Sequence, residues 1–340
     1  MDPDAKPKAT NPARPTRPRR RFGALALVGA IALAAVLASL RVATLAQSAP
    51  LPRPAPVNGD RAFRYLEQIC ALGPRPAGSA ANTRQRQLVA EHFRKHGGQV
   101  REQPFGAVDP LSGAKVAMVN LVGSWHPELN DRVVLGVHYD TRPFPDEEPD
   151  PKRRKDPFLG ANDGASGVAL LMEIANHLPE LITPRGVDLV LFDGEELVYD
   201  QVGEYFLGSK EFGRIYAEQN PRKFVYSAGL VLDMVGDKDL RIEREPYSMD
   251  LAPDLVRDVW GVARRIKATA FKQKVGPAVQ DDHLPLNNAG IPAIDIIDFD
   301  YEHWHTVDDL PKNCSGASLA QVGRVVTAWL AEPKPTPPRR

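Results

Sequence analysis

The sequence predicts an α/β fold: a mostly parallel sheet covered on both faces by helices, with a hydrophobic segment ahead of it near the N-terminus. Three observations predict this. Short apolar runs at 116–122, 133–137, 187–192, 228–232 and 291–297 read as strands. Segments with apolar residues at helical spacing lie between most of them, and strands alternating with helices pair in parallel. Several of these runs end at or just before a His, Asp or Glu, and sites in such sheets gather at the carboxyl ends of strands.

From the N-terminus, residues 1–21 hold seven Lys/Arg against two Asp among many prolines, and are expected to be a disordered basic tail on the cytoplasmic side. Residues 22–40 (FGALALVGAIALAAVLASL) follow Arg19-Arg20-Arg21 and contain no charge. Nineteen helical residues span roughly 28 Å, about the thickness of bilayer hydrocarbon. Residues 22–45 therefore read as a transmembrane signal-anchor helix or as a signal peptide cut near residues 44–46. Either option exports the rest of the chain, to the periplasmic or extracellular side. Residues 46–57 form a Pro-rich linker. The folded domain is expected over 58–332, with a short tail at 333–340. The whole chain has zero formal net charge, so the folded part is slightly acidic and offers no basic face for nucleic acid.

Within the domain, 60–72 places Phe63, Leu66 and Ile69 on one helical face, stopped by Gly73-Pro74-Arg75-Pro76. A second helix, 80–96, ends at Gly97-Gly98. The loop 141–159 (TRPFPDEEPDPKRRKDPFL) is expected to be too polar to bury. Residues 165–178 align Val168, Leu171, Ile174, Ala175 and Leu178 as a helix, and 205–217 is expected to be another. Helices 255–266 and 315–330 follow, the latter with Leu319, Val322, Val326 and Trp329 on one face. Cys70 and Cys314 lie near the two ends of the domain. In an exported chain they can bridge, or stay two buried thiols.

The chemistry-bearing residues sit at the ends of these runs. His138-Tyr139-Asp140 closes the run 133–137, and Asp140, two residues on, is expected to hydrogen-bond the His138 ring and fix its tautomer. Asp163 lies among small residues in Gly160-Ala161-Asn162-Asp163-Gly164-Ala165-Ser166-Gly167, which allow a metal and a substrate to come close. Asp193-Gly194-Glu195-Glu196 closes the run 187–192. Adjacent acids at a strand end point different ways, so one can bind metal while its neighbour moves a proton. Asp233 closes 228–232, and Trp304-His305-Thr306 follows the last strand. Converging His and carboxylate donors suit a divalent zinc ion.

This order of motifs, with the pieces Gly-Ala-Asn-Asp-Gly-Ala-Ser-Gly, Phe-Asp-Gly-Glu-Glu, Leu-Asp and His-Thr, resembles the zinc aminopeptidases and glutaminyl cyclases of peptidase family M28, over about residues 60–332. The resemblance implies a three-layer sandwich around a mixed, mainly parallel sheet. For a cyclase it implies one zinc on Asp163, Glu196 and His305, with Glu195 moving a proton. Asp233 and Asp281 would form a hydrogen-bonded network beside it, and Trp304 would bind substrate. The reaction would convert N-terminal glutamine of peptides or proteins to pyroglutamate, with loss of ammonia. For an aminopeptidase it implies two zincs, adding His138 and Asp233 as ligands. Trp304 ahead of the last ligand, Asp281 in Gln280-Asp281-Asp282-His283, and Phe206-Leu207-Gly208-Ser209-Lys210 look cyclase-like. Animal cyclases carry a His in the strand where this chain has Asp295, and the bacterial branch is more similar there. With every candidate ligand and the Glu base intact, a catalytically inert receptor-like ectodomain is the least favoured reading.

Overall fold

The structure is a computed structural model that describes residues 56–199 and 202–333. The basic tail, the apolar stretch 22–40, most of the linker and the tail from 334 lie outside the described residues. Among the described residues no helix is long and apolar enough to cross a membrane.

The first helices are α1 (Gly59–Cys70) and α2 (Ala80–Lys95). Strands β1 (Gln99–Val108), β2 (Lys115–Trp125) and β3 (Asp131–His138) follow. Next come α3 (Ala165–Ala175), β4 (Gly186–Phe192), a small hairpin of β5 (Val198–Tyr199) and β6 (Val202–Gly203), and α4 (Leu207–Ala217). The rest is β7 (Val225–Asp233), β8 (Ile242–Arg244), α5 (Pro246–Leu251), α6 (Pro253–Arg265), β9 (Phe271–Val275), α7 (His283–Asn288), β10 (Ala293–Ile297) and α8 (Gly316–Leu330).

The main sheet runs β1-β2-β4-β3-β7-β10. The four strands β4, β3, β7 and β10 are mutually parallel, while β1 and β2 add an antiparallel flank. The sheet is thus mixed and mostly parallel. The flank strand β1 was not expected, because Gln99–Val108 is a largely exposed strand with no apolar run. The short helices α5 and α7 also lack a readable period at six residues each.

Both faces of the parallel strands are buried, and the period of two divides them between two cores. Val133, Leu135, Val137, Leu189, Leu191, Leu230 and Leu232 pack with α1, α2, α3, α6 and α8. Val134, Val190, Phe192 and Val231 face Phe212 and Tyr216 of α4 and Leu286 of α7. Fully buried runs read as continuous apolar stretches, which is why these strands were visible in the sequence.

Helix α3, which follows the Asp163 loop, approaches the sheet closely at Gly167. A Cβ on Gly167 would stand 2.4 Å from the Leu232 carbonyl oxygen, so α3 rests on β7 there only because residue 167 has no side chain. Gly164, just before α3, has φ +88, a conformation that L side chains rarely adopt. α1 is fixed onto α3 by Arg61, which donates to both oxygens of the buried Glu173 at 2.6 and 2.8 Å. Cys70 and Cys314 are buried free thiols within the same core cluster.

Candidate metal centre

Because β3, β4, β7 and β10 run parallel, their carboxyl ends share one edge of the sheet. His138 ends β3, Glu195 and Glu196 follow β4, and Asp233 ends β7. Asp163 enters from the loop before α3, and His305 from the loop after β10. Asp163, Glu196 and His305 each bring a ligand atom within 4.8 Å of the others, and so do His138, Asp163 and Asp233. Asp163 belongs to both groups.

The spacing fits a small ion. His305 Nε2 lies 3.2 Å from Glu196 Oε1 and 3.4 Å from Asp163 Oδ2. Tetrahedral donors bound at about 2.0–2.1 Å stand roughly 3.3 Å apart. Asp163 Oδ2 is buried and makes no hydrogen bond, as expected for an oxygen aimed at a cation. His138 Nε2 is 3.2 Å from Asp163 Oδ1 and 3.1 Å from Asp233 Oδ1, so the second group has the same spacing. The donor set, imidazole nitrogen with carboxylate oxygens, suits zinc in both places.

The electrostatics are those of a packed set of acids and imidazoles. Burial disfavours the charged His138 and His305 rings, but the carboxylates around them outweigh it, and both are raised well above the usual histidine value. Burial alone would raise Asp163, but His138 and His305 hold it below the ordinary carboxylate range. A metal ion held here would take the place of those imidazole protons.

Outer residues hold this set in place. Asp140 accepts the backbone N–H of Glu195 at 3.1 Å and of Glu196 at 3.0 Å. Its expected tie to the His138 ring is longer, 4.0 Å from Oδ1 to Nδ1. Asp140 therefore aims the Glu195-Glu196 turn more directly than the His138 ring. Asp309 does the same for the Asp163 loop, accepting the N–H groups of Asn162 and Asp163 at 2.8 and 3.1 Å. Arg75, fully buried, donates to the carbonyls of Leu159 and Gly160 and fixes the start of that loop.

The charged loop 141–159 departs from expectation over its first part. Arg142 and Glu148 are buried, whereas Lys152 to Lys155 are exposed. Arg142 Nη1 donates to Glu196 Oε2 at 2.6 Å, and its Nη2 to Asp146 Oδ2 at 2.6 Å. Asp146 Oδ1 in turn pairs with His305 Nδ1 at 3.0 Å. Pairing is what makes these charges tolerable inside the protein. Arg142, Asp146, Asp309 and Arg75 all escaped the sequence reading, and a polar loop gives no period by which to single them out.

A cavity of about 230 Å³ opens beside the metal group, lined by Asp163, Glu195, Glu196, Asp233, Asp281, Phe299, Trp304 and His305. Glu195 lines this cavity with them, its Oε2 4.0 Å from His138 Nδ1. Burial, then the neighbouring Glu196, pushes its carboxyl well above the usual range. Burial also raises Asp233 to about 7 and raises Asp281. Trp304 stacks on the His305 ring at 3.9 Å and tilts against Phe299 at 5.1 Å. His305 itself has φ +54, and Met234, next to Asp233, has φ +46. Such backbone costs about 1–3 kcal/mol each and concentrates at functional sites.

Residues 120–330 match peptidase family M28. The mouse glutaminyl-peptide cyclotransferase-like protein is 25% identical over 287 residues, which span 76% of this chain and 72% of that one. The crystal structure of Fimbriiglobus ruber glutaminyl cyclase superposes with a TM-score of 0.80 at 37% identity, covering 84% of this chain and 99% of that one. A leucine aminopeptidase precursor from Bacteroides thetaiotaomicron superposes with a TM-score of 0.77 at 30% identity, covering 84% of this chain and 100% of its own.

Proposed function

The chain belongs to peptidase family M28, and from that premise we propose that it is a zinc-dependent glutaminyl-peptide cyclotransferase. It closes an N-terminal glutamine of a peptide or protein to pyroglutamate and releases ammonia. The observation that carries this reading is the single cavity that joins the Asp163, Glu196 and His305 group to Glu195, Asp233, Asp281 and Trp304. Cyclisation needs no water nucleophile, and this cavity offers acids and an aromatic wall to the substrate's own amine.

Zinc would be held by Asp163, Glu196 and His305; when bound it supplies Lewis acidity toward the side-chain amide oxygen. Glu195 takes a proton from the attacking α-amine and returns it to the departing nitrogen. The amine arrives near Asp233 and Asp281, whose carboxyl groups accept its N–H bonds. Trp304 packs against the glutamine side chain and holds the amine and the amide of one residue within reach of each other. That confinement supplies much of the acceleration expected of an intramolecular attack.

The test is zinc stoichiometry of the purified protein together with ammonia release from a Gln-initiated peptide. One zinc and ammonia support the cyclase. A second reading, a dizinc aminopeptidase, is favoured by the His138, Asp163 and Asp233 group that shares Asp163 with the first. Two zincs and free leucine from a Leu-initiated peptide would establish that reading instead.

We also place the catalytic domain on the exported side of a membrane, tethered by residues 22–40, on the strength of that apolar run and the arginines before it. Protease accessibility in intact cells, and retention of the protein in the membrane fraction, test the placement.

A further inference from the structure

Val279, Ile297 and Phe299 form a wall with an opening on each side. The substrate cavity lies on one side, and a second opening of about 140 Å³, lined also by Glu245, lies on the other. A line of ionisable side chains crosses behind this wall. Asp281 faces the substrate cavity; Asp295 on β10, His283 at the start of α7 and Glu245 before α5 follow. Asp281, His283 and Asp295 each bring one donor atom within 4.8 Å of the others. His283 Nδ1 is 4.0 Å from Asp295 Oδ2, and its Nε2 is 3.4 Å from Glu245 Oε2. His283 and Asp295 are fully buried, and Glu245 is 2% exposed. Yet both ring nitrogens of His283, both oxygens of Asp295 and Oδ2 of Asp281 make no hydrogen bond. Buried polar atoms left this way call for an explanation.

We propose that Asp295, His283 and Glu245 form a proton relay from Asp281 to the second opening, so that the substrate's ammonium can lose its proton to solvent while the peptide still fills the front cavity. The proposal rests on the cyclase reading. A peptide α-amine has a pKa of about 7.7–8.0, so at neutral pH most substrate arrives as an ammonium with no lone pair. One N–H bond breaks and its proton passes to Asp281, through Asp295 to His283 Nδ1, and from Nε2 to Glu245 and water. The freed lone pair then forms the C–N bond. Glu195 carries the amine's second proton to the departing nitrogen, which leaves as ammonia. The proton lost through the relay is regained by ammonia in bulk, so atoms and charge balance.

The gaps of 3.4 and 4.0 Å close by small rotations of the imidazole and the Asp295 carboxyl. The groups facing His283 are Glu245 ahead of α5, Asp295 on β10 and Asp281 on its own segment, with Asp233 of β7 beyond Asp281; the neighbouring Asp282 carboxylate is held by Ser209 instead. Burial, with Asp281 and Asp233 beside it, pushes Asp295 well above the carboxylate range. Burial alone would raise Glu245 too, but His283 and the Ser248 and Tyr247 amides hold it at about 2. Asp295 thus stays protonated and can hand its proton to His283 as it takes the next from Asp281, and the anionic Glu245 stabilises the imidazolium that forms before the proton leaves to water.

The test uses the full zinc-loaded chain and its variants His283→Gln and Glu245→Gln, with ammonia release measured from a Gln-initiated peptide between pH 6 and 9. The glutamine at 245 keeps the volume and one acceptor oxygen, enough for the Tyr247 and Val279 amides that share Oε1, so this variant serves even where His283→Gln fails to fold. The expected result is a fall in kcat of about tenfold near pH 6.5 that shrinks to less than twofold above about pH 8.5, where the amine is already neutral, with KM and zinc content unchanged. Profiles that coincide with wild type, or a loss of equal size at every pH, would overturn the relay alone. A second equivalent of zinc lost on His283→Gln would overturn it in favour of a cation site. No ammonia from wild type at any pH would overturn the cyclase reading and the relay with it.

Discussion

Asp146→Asn isolates the support of His305 from the ligands themselves. Asp146 Oδ1 sits 3.0 Å from His305 Nδ1, while Oδ2 accepts from Arg142 at 2.6 Å. The carboxylate therefore serves two cations or donors with two oxygens. Asparagine fills the same volume but has one oxygen, so it can satisfy His305 or Arg142 and not both. Burial would raise Asp146, but His305 and Arg142 hold it below the usual range, so it is charged at neutral pH. Losing one charge-assisted interaction costs about 1.5–3 kcal/mol. Removing an outer partner of a metal-bound histidine typically lowers affinity about 10- to 100-fold, or about 1.4–2.8 kcal/mol. The two routes agree. Competition against a chromophoric zinc chelator at pH 7.5 should show zinc held 10- to 100-fold more weakly by the variant. The melting temperature of the zinc-free variant should stay within a few degrees of wild type, since the side-chain volume is kept. Zinc affinity within about twofold of wild type would refute the argument. It would mean that the stack of Trp304 and the edge contact of Phe158 at 6.1 Å orient the ring by themselves.

Chelated, zinc-free protein should lose stability as pH rises from about 4 to about 7. Asp140, Asp233 and Asp309 are raised from 3.8 to about 7, chiefly by burial. In that window the folded chain holds protons that the unfolded chain has released, so stability falls with rising pH; a urea midpoint higher at pH 7.5 than at pH 5 would contradict this. Glu195→Gln should retain zinc and lower kcat by about 10²- to 10⁴-fold, the range of a general base; near-normal turnover would mean that another group moves the proton. Trp304→Ala should raise KM for a Gln-initiated peptide roughly 2- to 13-fold, the range of an aromatic contact of about 0.5–1.5 kcal/mol. Unchanged KM would remove Trp304 from the substrate wall.

Much of this molecule was legible without coordinates. The strands β3, β4 and β7 are buried on both faces, so Val133–Val137 and its counterparts show as unbroken apolar runs. The helices α3 and α8 carry the expected apolar faces and begin close to where small residues and Ser315 place them. Parallel pairing then forces the strand ends to one edge. That is why His138, Glu195, Glu196 and Asp233 could be grouped from order alone, and why Asp163 and His305 joined them by motif. The exposed strand β1 and the short helices α5 and α7 were not legible, because their sequences bury too little apolar surface to leave a period.

The sequence by itself determined the layers, the edge on which chemistry can occur and the acids and imidazoles that arrive there. Only the tertiary structure decided which charges outside those motifs serve them. Asp146 is one of several acids in a stretch of similar composition, yet its carboxylate is the one set against the His305 ring, 159 positions further along the chain. Likewise Asp309 takes the Asp163 loop amides and Arg142 takes Glu196. Apolar periodicity records burial against a local surface, whereas a buried charge is admitted by a partner that the chain brings from far away. The strength of that pairing is set by distance in space, and no local pattern encodes it.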